Sequence, residues 1–212
     1  MAVRERLFAR WYPIVAGWSE RAGQGAMRAR LLGSARGRTL ELGAGSGYNL
    51  PYYTAAVTEL VISEPSPFMR EHLRQRLTDD PPPVGACELV DAGAEHLPFD
   101  DAEFDTVVSA YVHCTVPDPR AALREIARVL KPGGRYLFLE HVRSPDSRAL
   151  ALVQDVLERP HAWIAAGCHP NRRLEELLTA SPLEVTELVR ARMPRASPTV
   201  RPIIVGTAVA PA

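Results

Sequence analysis

The chain has 212 residues, of which 46% are hydrophobic and 24% are charged. This composition is typical of a folded globular protein and excludes the disordered and collagen-like classes. The 25 basic and 25 acidic residues cancel, but residues 1–38 carry eight arginines against two glutamates, so the amino-terminal segment is basic. That excess is too modest to indicate nucleic-acid binding, and we expect no nucleic-acid partner.

The three cysteines, Cys87, Cys114 and Cys168, are far apart in the sequence and form no C-x-x-C pair. Their number and spacing indicate neither a disulfide framework nor a zinc site, and we expect no bound metal. The first residues lack a signal-peptide cleavage pattern, and no apolar run approaches the length of a transmembrane helix. We therefore expect a cytoplasmic protein without stable insertion into a membrane.

Apolar residues recur at helical spacing between residues 7 and 18, which predicts an amphipathic helix interrupted at Pro13. A second helix is predicted over residues 22–32. We interpret residues 1–37 as a helical cap that belongs to the same domain as residues 38–212. Because the first helix is basic and carries aromatic residues, peripheral contact with a membrane surface is an alternative interpretation of it.

After residue 37, strand and helix patterns alternate. The predicted strands cover residues 38–42, 58–63, 86–91, 104–110, 133–142, 183–189 and 201–209. The predicted helices cover residues 67–77, 119–130, 148–157 and 171–180. This alternation predicts an α/β fold, a Rossmann-like, seven-stranded, mostly parallel sheet with helices on both faces. The last two strands have no helix between them, so the last strand is predicted to be antiparallel.

The stretch "TLELGAGSGYNL" places Gly43, Gly45 and Gly47 directly after the first predicted strand, with Glu41 just before them. A dinucleotide-binding loop would read G-x-G-x-x-G, and Tyr48 stands where its third glycine is required. A carboxylate at this place disfavours a pyrophosphate but accepts a hydrogen bond from an ammonium group. The loop therefore favours S-adenosylmethionine, which carries an ammonium group and no phosphate, over a nicotinamide cofactor.

A second acid, Glu64, ends the next predicted strand, where a carboxylate can bind both ribose hydroxyls. With this residue, the motifs resemble the class I S-adenosylmethionine-dependent methyltransferases. "LELGAGSGYN" resembles their first motif and "VISEP" their second, while "AEHLPFDDAEFDTVVSAYVHCTVPDP" resembles their adenine-binding loop and fourth strand. "LREIARVLKPGGRYLFLEH" resembles the following helix and fifth strand. "FLEHV" and "AAGCHPNRR" are similar to the alkyl thiol S-methyltransferase branch of the family.

The resemblance implies an enzyme that uses S-adenosylmethionine and releases S-adenosylhomocysteine. Glu41 and Gly43 would lie under the methionine part of the cofactor, and Glu64 would bind its ribose. Ser109 would offer backbone groups to the methionine part. The full set of implied cofactor-binding residues is Glu41, Gly43, Ala44, Gly45, Gly47, Asn49, Glu64, Pro65, Ala94, Glu95 and Ser109.

The adenine contacts depart from the family pattern. Many relatives have an aspartate one residue before Ala94, where it reads the adenine amino group, and this chain has Gly93 there. Either Asp91 or Glu95 substitutes for that aspartate, or backbone groups alone contact the adenine.

Two histidines are candidates for proton transfer. The cofactor brings the reactivity of methyl transfer, so the protein mainly positions the reactants and excludes water. A thiol acceptor must also ionise, and a free thiol with a pKa of about 8.5 is mostly protonated at pH 7. His141 and His113 fall at the carboxyl ends of central strands, where open α/β sheets bind ligands, so each is a candidate base. The alternative for each is a histidine that packs beside the loop backbone.

Three further residues are candidates for binding the acceptor. Tyr111 is predicted to line the pocket and Tyr12 to belong to a lid, although aromatic residues at helical spacing are usually part of a core. Arg172 is a candidate for binding an anionic group of a substrate. A salt bridge to Glu175 or Glu176 is the alternative interpretation of Arg172.

The sequence therefore predicts a methyltransferase that acts on a small molecule, with a hydrophobic thiol as the favoured acceptor. A phospholipid or quinone methyltransferase is the alternative enzyme class, since such enzymes share the "LPF" and "VPDP" style of segment. A domain that binds the cofactor without turning it over, in a regulatory role, is the alternative outside the enzymes.

Overall fold

The computed structural model describes residues 17–212, so the predicted helix before residue 17 lies almost wholly outside the described residues. A π-helical turn, Glu20–Gln24, leads into the first α-helix. The helices are α1 (Gly25–Leu32), α2 (Pro67–Asp79), α3 (Pro119–Val129), α4 (Arg148–Ile164) and α5 (Leu174–Thr179). The strands are β1 (Gly37–Leu42), β2 (Val57–Ser63), β3 (Cys87–Val90), β4 (Phe104–Ala110), β5 (Leu130–His141), β6 (Glu184–Arg192) and β7 (Pro202–Val209).

Three of the helices begin at side-chain caps. Ser66, Asp118 and Ser147 precede α2, α3 and α4, and each side chain accepts a hydrogen bond from a backbone N–H of the first helical turn. Pro67 and Pro119 follow two of these caps in the first helical turn, where a missing N–H removes no intrahelical bond. The caps fix where the loops after β2 and β4 end, and these loops lie at the carboxyl edge of the sheet.

The seven strands form one sheet in the order β3-β2-β1-β4-β5-β7-β6. The strands from β3 to β5 pair in parallel, whereas β7 runs antiparallel to both β5 and β6. The predicted fold class, including the antiparallel last strand, is confirmed. The strand order reverses between β1 and β4, and ligands of open α/β sheets bind at the carboxyl ends of the strands beside such a reversal.

The alternation of side chains along the strands divides the carboxyl edge into two faces. Glu41 lies opposite Val108, which lies opposite Leu137, so these side chains share one face with His141. That face is covered by α1 and α2 through a cluster of buried apolar residues, and we call it the α1 face. The other face, which carries Glu140, is covered by α3 and α5, and we call it the α3 face.

Two elements differ in length from the sequence prediction. Helix α4 continues to Ile164, past the predicted end at residue 157, although Pro160 lies inside it and lacks the N–H that would complete the hydrogen-bond ladder. Helix α5 begins only at Leu174, because the residues before it form a turn that packs on the loop after β4. That turn is fixed by hydrogen bonds from the backbone N–H of His169 to Cys114 and from Arg172 Nη2 to Val116.

Candidate active site

The loop after β1 turns through glycines whose backbone is left-handed, a conformation that side chains disfavour. At Gly47, where φ is 72°, an added Cβ would lie 2.9 Å from Leu50 and 3.0 Å from Leu73, so this glycine is required for packing. At Gly45, where φ is 56°, the same atom would meet nothing in the described chain closer than the Gly43 carbonyl oxygen at 4.0 Å. The loop therefore has an open side at Gly45, where a ligand can approach the backbone.

Glu64 follows β2 and lies against the glycine loop. Its carboxylate accepts hydrogen bonds from the backbone N–H of Gly45 at 2.8 Å and of Ser66 at 2.9 Å. Burial raises the pKa of Glu64, and the two backbone hydrogen bonds oppose this rise. The same side chain thus fixes the loop and lies at the place where the sequence predicts a ribose contact.

Glu41 is buried at the end of β1 within a network of polar side chains. Its two carboxylate oxygens accept hydrogen bonds from Asn49 Nδ2 at 3.0 Å and from the Tyr53 hydroxyl at 2.8 Å. Arg28 of α1 donates to Asn49 Oδ1 at 2.5 Å and to Glu20 at 2.7 Å. Burial raises the pKa of Glu41 to about 7, although both hydrogen bonds and the Arg28 charge oppose this rise. The carboxylate is therefore close to half-ionised at neutral pH.

The network continues to two aromatic rings on the α1 face. The Arg28 guanidinium lies 5.4 Å from the centre of the Tyr111 ring, and that ring stacks on His141 with ring centres 4.4 Å apart. Tyr111 has a φ of 63°, which is strained for a non-glycine residue and is held by the surrounding packing. The structure thus brings Tyr111 and His141 to the carboxyl ends of β4 and β5, on the same face as Glu41.

The imidazole of His141 is buried and neutral at pH 7. Burial lowers its pKa, and the nearby Cys168 and a hydrogen bond to the backbone of Val200 oppose this change. Its Nδ1 atom is buried without a hydrogen-bond partner among residues 17–212. A neutral imidazole with an uncommitted ring nitrogen is the form of histidine that can accept a proton.

His113 lies on the opposite face of the sheet from His141. Its Nε2 atom is 2.7 Å from the Tyr136 hydroxyl, and burial lowers its pKa to about 3. Glu140 accepts the backbone N–H of His113 at 3.1 Å and the Ser109 hydroxyl at 2.7 Å. This geometry favours the packing interpretation of His113. It also commits the Ser109 side chain to Glu140 on the α3 face, away from Glu41.

The residues predicted to contact adenine lie beyond β2 and β3. Asp91 forms a bidentate ion pair with Arg70 at 2.6 and 2.7 Å, and its exposed carboxylate can accept further hydrogen bonds. Glu95 accepts the backbone N–H of Asp118 at 3.4 Å through one oxygen only. Asp91, Glu95 and the backbone therefore all stay alternatives for reading the adenine amino group. Pro65 is exposed and Ala94 is buried.

Arg172 lies away from the stacked rings. The prediction that it pairs with Glu175 or Glu176 is wrong, because Glu175 pairs with Arg190 at 2.6 Å and Glu176 with Arg173 at 3.3 Å. Arg172 instead borders a polar cavity of about 620 Å³ between α3, α4 and α5. Neither the glycine loop nor the stacked rings line that cavity, so the structure does not bring Arg172 and Tyr111 into one pocket.

Several residues of the site were not predicted from the sequence. Tyr53, Arg28 and Glu140 each bond a predicted residue, but their partners are set by the packing of separate elements. Tyr53 could have been predicted from the sequence as a neighbour of the site, because it follows Asn49 by four residues in "YNLPYY". Tyr12, predicted to belong to a lid, lies outside the described residues.

The chain is similar to several known methyltransferases. A methyltransferase domain model matches residues 40–138. The chain is similar to thiol S-methyltransferase TMT1B. It is 35% identical to the Rattus norvegicus protein over 133 residues and 30% identical to the Homo sapiens protein over 170 residues. These matches cover 63% and 80% of this chain, which spans 54% of the rat protein and 69% of the human protein.

Two further proteins extend the comparison. Phosphatidylethanolamine N-methyltransferase from Cereibacter sphaeroides is 34% identical over 154 residues, which are 71% of this chain and 72% of that protein. N-methyltransferase NodS from Bradyrhizobium japonicum WM9, solved in complex with S-adenosyl-L-homocysteine, has the same fold with a TM-score of 0.66 at 16% identity. That match covers 92% of this chain and 88% of NodS. With this sheet order and these relatives, the chain belongs to the class I S-adenosylmethionine-dependent methyltransferases.

Proposed function

We propose that the chain transfers the methyl group of S-adenosylmethionine to the sulfur of a small hydrophobic thiol. The observation that carries the proposal is the stacking of Tyr111 on the neutral His141, on the face of the sheet that holds Glu41. The thiol S-methyltransferase relatives support sulfur as the acceptor atom.

The residues at the carboxyl ends of β1 and β2 fit the cofactor. The open side of Gly45 allows a ligand to contact the loop backbone, and Glu64 would accept hydrogen bonds from the ribose hydroxyls. Glu41 would attract the ammonium group, because each carboxylate oxygen can accept more than the one hydrogen bond it has here. A nearby positive charge also favours the ionised form of a carboxylate whose pKa is about 7. The bound cofactor supplies a methyl group activated by a sulfonium.

The residues around the acceptor would deprotonate it and exclude water. His141, neutral at pH 7, would take the thiol proton at Nδ1, which turns the acceptor into the more nucleophilic thiolate. Tyr111 would hold the imidazole plane through the ring stack and cover the acceptor from water. Arg28 contacts both the Tyr111 ring and Asn49 of the network around Glu41, so it connects the two halves of the site.

Turnover with a panel of thiols, phenols and amines tests this proposal, with S-adenosylhomocysteine release as the readout. We expect thiols to be the preferred acceptors and His141→Ala to reduce kcat about hundredfold, the usual contribution of a general base. A thiol of low pKa should recover much of the loss, because it ionises without a base. His72→Ala is the matched control, since His72 is exposed on α2 and should leave turnover unchanged.

The outcomes separate the alternatives. Equal loss with thiols of low and high pKa would refute the base role of His141. Turnover on phenols or amines but not on thiols would refute the acceptor. Tight binding of S-adenosylhomocysteine without turnover on any acceptor would favour a non-catalytic, cofactor-binding role.

A lipid methyltransferase is the second candidate function, and one surface favours it. Helix α4 exposes a continuous apolar face formed by Leu152, Val153, Val156, Leu157, Trp163 and Ile164. Arg148 and Arg159 are exposed on the rim of this face, one turn before Leu152 and Trp163. An apolar helix face with basic residues at its rim suits contact with anionic lipid. Among residues 17–212, however, no helix has the length and apolarity that crossing a membrane requires.

Vesicles provide the test of this second candidate. If the acceptor is a lipid, dispersed phosphatidylethanolamine should be methylated faster than any soluble thiol, and Val156→Glu should slow that reaction alone. Val156 is the most exposed apolar residue of the face, at 77%, so the change should not disturb the fold. Glu71→Gln on α2 is the control for altered surface charge. Faster turnover of soluble thiols than of the lipid would exclude the second candidate.

A further inference from the structure

Two cysteines from distant parts of the sequence lie side by side behind the stacked rings. Cys114 follows β4, and Cys168 belongs to the turn between α4 and α5. The backbone N–H of His169 donates to the Cys114 carbonyl at 2.7 Å, which fixes the two segments against each other. Each sulfur affects the pKa of the other, so the two thiols lie within interacting distance, and both cysteines are free.

The surroundings of the two sulfurs are unequal. A hydrogen bond from Cys114 is the main cause that holds the pKa of Cys168 well below that of an ordinary thiol, and a hydrogen bond from His161 acts in the same direction. The same hydrogen bond and burial raise the pKa of Cys114. Cys168 is therefore the thiolate of the pair and Cys114 is its protonated neighbour. Both sulfurs are buried, with Cys168 the more exposed of the two, and a thiolate beside a second thiol can act as the nucleophile while its neighbour resolves the product.

The pair is not part of a metal site in the described chain. Among residues 17–212, no group of three or more histidine, cysteine or acidic side chains is arranged to hold a metal ion. The remaining cysteine, Cys87, lies on β3 and is exposed as a residue. Partial burial of its sulfur nevertheless raises its pKa to about 11, so Cys87 is a poor nucleophile. The chemistry open to Cys114 and Cys168 is therefore reaction of one sulfur with the other.

We propose that Cys114 and Cys168 form a redox pair that a hydroperoxide oxidises to an intramolecular disulfide. In the first step the Cys168 thiolate attacks the peroxide, forming a sulfenic acid and releasing an alcohol or water. In the second step the Cys114 sulfur displaces water from that sulfenic acid and forms the S–S bond. Two thiols thus lose two electrons and two protons to the peroxide, and a dithiol reductant reverses the change.

Oxidation of this pair would alter the acceptor side of the site. The Cys114 sulfur lies 3.4 Å from the Tyr111 carbonyl oxygen, so a change in the bonding of this sulfur acts on the backbone of Tyr111. A disulfide also removes the negative charge of Cys168, which acts to raise the pKa of His141. The pair is therefore connected to both rings of the stack. It contacts Tyr111 at the carbonyl oxygen, and it acts on His141 through the charge of Cys168.

The Cys87→Ser protein is the sample for the test, because its only thiols are the proposed pair. Treatment of the folded protein with hydrogen peroxide should remove two hydrogen atoms by intact mass, abolish both titratable thiols and link the two cysteine peptides. Dithiothreitol should restore both thiols. With Cys168 also replaced by serine, the protein should not react at the same peroxide dose. With Cys114 replaced instead, a sulfenic acid on Cys168 should be trapped by a 1,3-dicarbonyl reagent.

Other results would overturn the proposal. These are two thiols that survive the peroxide dose, oxidation to sulfinic acid without a disulfide, and links between molecules only. The decisive measurement uses the pair intact, so poor folding of a serine variant does not affect it. The pH titration of the His141 ring by NMR tests the connection to the site. We expect the pKa of His141 to fall on oxidation, and an unchanged pKa would show that the pair acts apart from the stack.

Discussion

Glu41 and Glu140 are both almost completely buried at the carboxyl edge of the sheet, but they lie on opposite faces and have different partners. Glu41 accepts hydrogen bonds from two side chains, Asn49 and Tyr53, and lies beside the glycine loop. Glu140 accepts two backbone N–H groups of the loop after β4, in addition to the Ser109 hydroxyl. Two residues of one type with equal burial thus contact different parts of the chain.

The difference indicates two roles for a buried carboxylate. The partners of Glu140 are backbone groups that have no other acceptor in the loop, so this residue stabilises the fold of the segment from Val112 onward. The partners of Glu41 are side chains that can shift when a positively charged ligand approaches. Burial raises the pKa of both, to about 7 for Glu41 and about 8 for Glu140. The comparison therefore predicts that one substitution affects mainly stability and the other mainly cofactor binding.

The largest effect is expected from Glu140→Ala. The substitution leaves the backbone N–H groups of Val112 and His113 without an acceptor, and each buried unpaired group costs about 1–3 kcal/mol. We expect the free energy of unfolding in urea to fall by about 3 kcal/mol. Glu71→Ala is the control, because Glu71 is exposed and pairs only with Arg74, and it should change stability by less than about 0.5 kcal/mol. A similar, small loss for both variants would contradict the role assigned to Glu140.

The pH dependence of stability follows from the same two residues. Their folded pKa values of about 7 and 8 lie above the value of 4.5 that is usual for glutamate. Between pH 6.5 and 8 the folded state thus holds protons that the unfolded state has released, so raising the pH destabilises the protein. His113, whose folded pKa is about 3, has the opposite sign, but most of its change falls below pH 6.5.

Cys168, whose pKa is held well below that of an ordinary thiol, has the opposite sign within this range, so a difference between two proteins is needed to isolate Glu140. From pH 6.5 to pH 8 the free energy of unfolding of the unsubstituted protein should fall by about 1.5 kcal/mol relative to that of Glu140→Gln, which lacks the titrating carboxyl group. Urea unfolding of both proteins at three pH values across this range is the measurement. Parallel stability curves for the two proteins would show that Glu140 is already ionised when the protein is folded.

The cofactor side of the comparison was predictable from the sequence because its residues are close together in the chain. The glycine loop and Glu41 lie within seven residues, and Glu64 ends the next strand, so strand patterns alone place them at one edge. Helix α1 was also predicted, but the hydrogen bond from its Arg28 to Asn49 was not. That contact depends on how the helix packs across the sheet, and no local pattern encodes it.

The acceptor side was predicted only as a set of candidates. Alternation along β5 separates Glu140 from His141, but it does not say which of the two shares a face with Glu41. That requires the register of β1 against β4 and of β4 against β5, which is set by long-range pairing. His113 lies beyond the end of β4, where the strand alternation no longer applies, so its place beside Tyr136 appears only in the folded chain.

The smallest of the expected effects distinguishes the two carboxylates by affinity. Glu41→Gln replaces a group that can carry negative charge with a neutral amide, which removes its attraction for the ammonium group of the cofactor. We expect calorimetric titration with S-adenosylhomocysteine to show about a tenfold weaker Kd, equivalent to about 1.4 kcal/mol. Glu140→Gln should change the Kd less than about twofold, because Glu140 faces the opposite side of the sheet from Glu41 and its partners are the loop after β4 and Ser109. Equal weakening by both variants would mean that the loop after β4, and not the charge of Glu41, controls cofactor affinity.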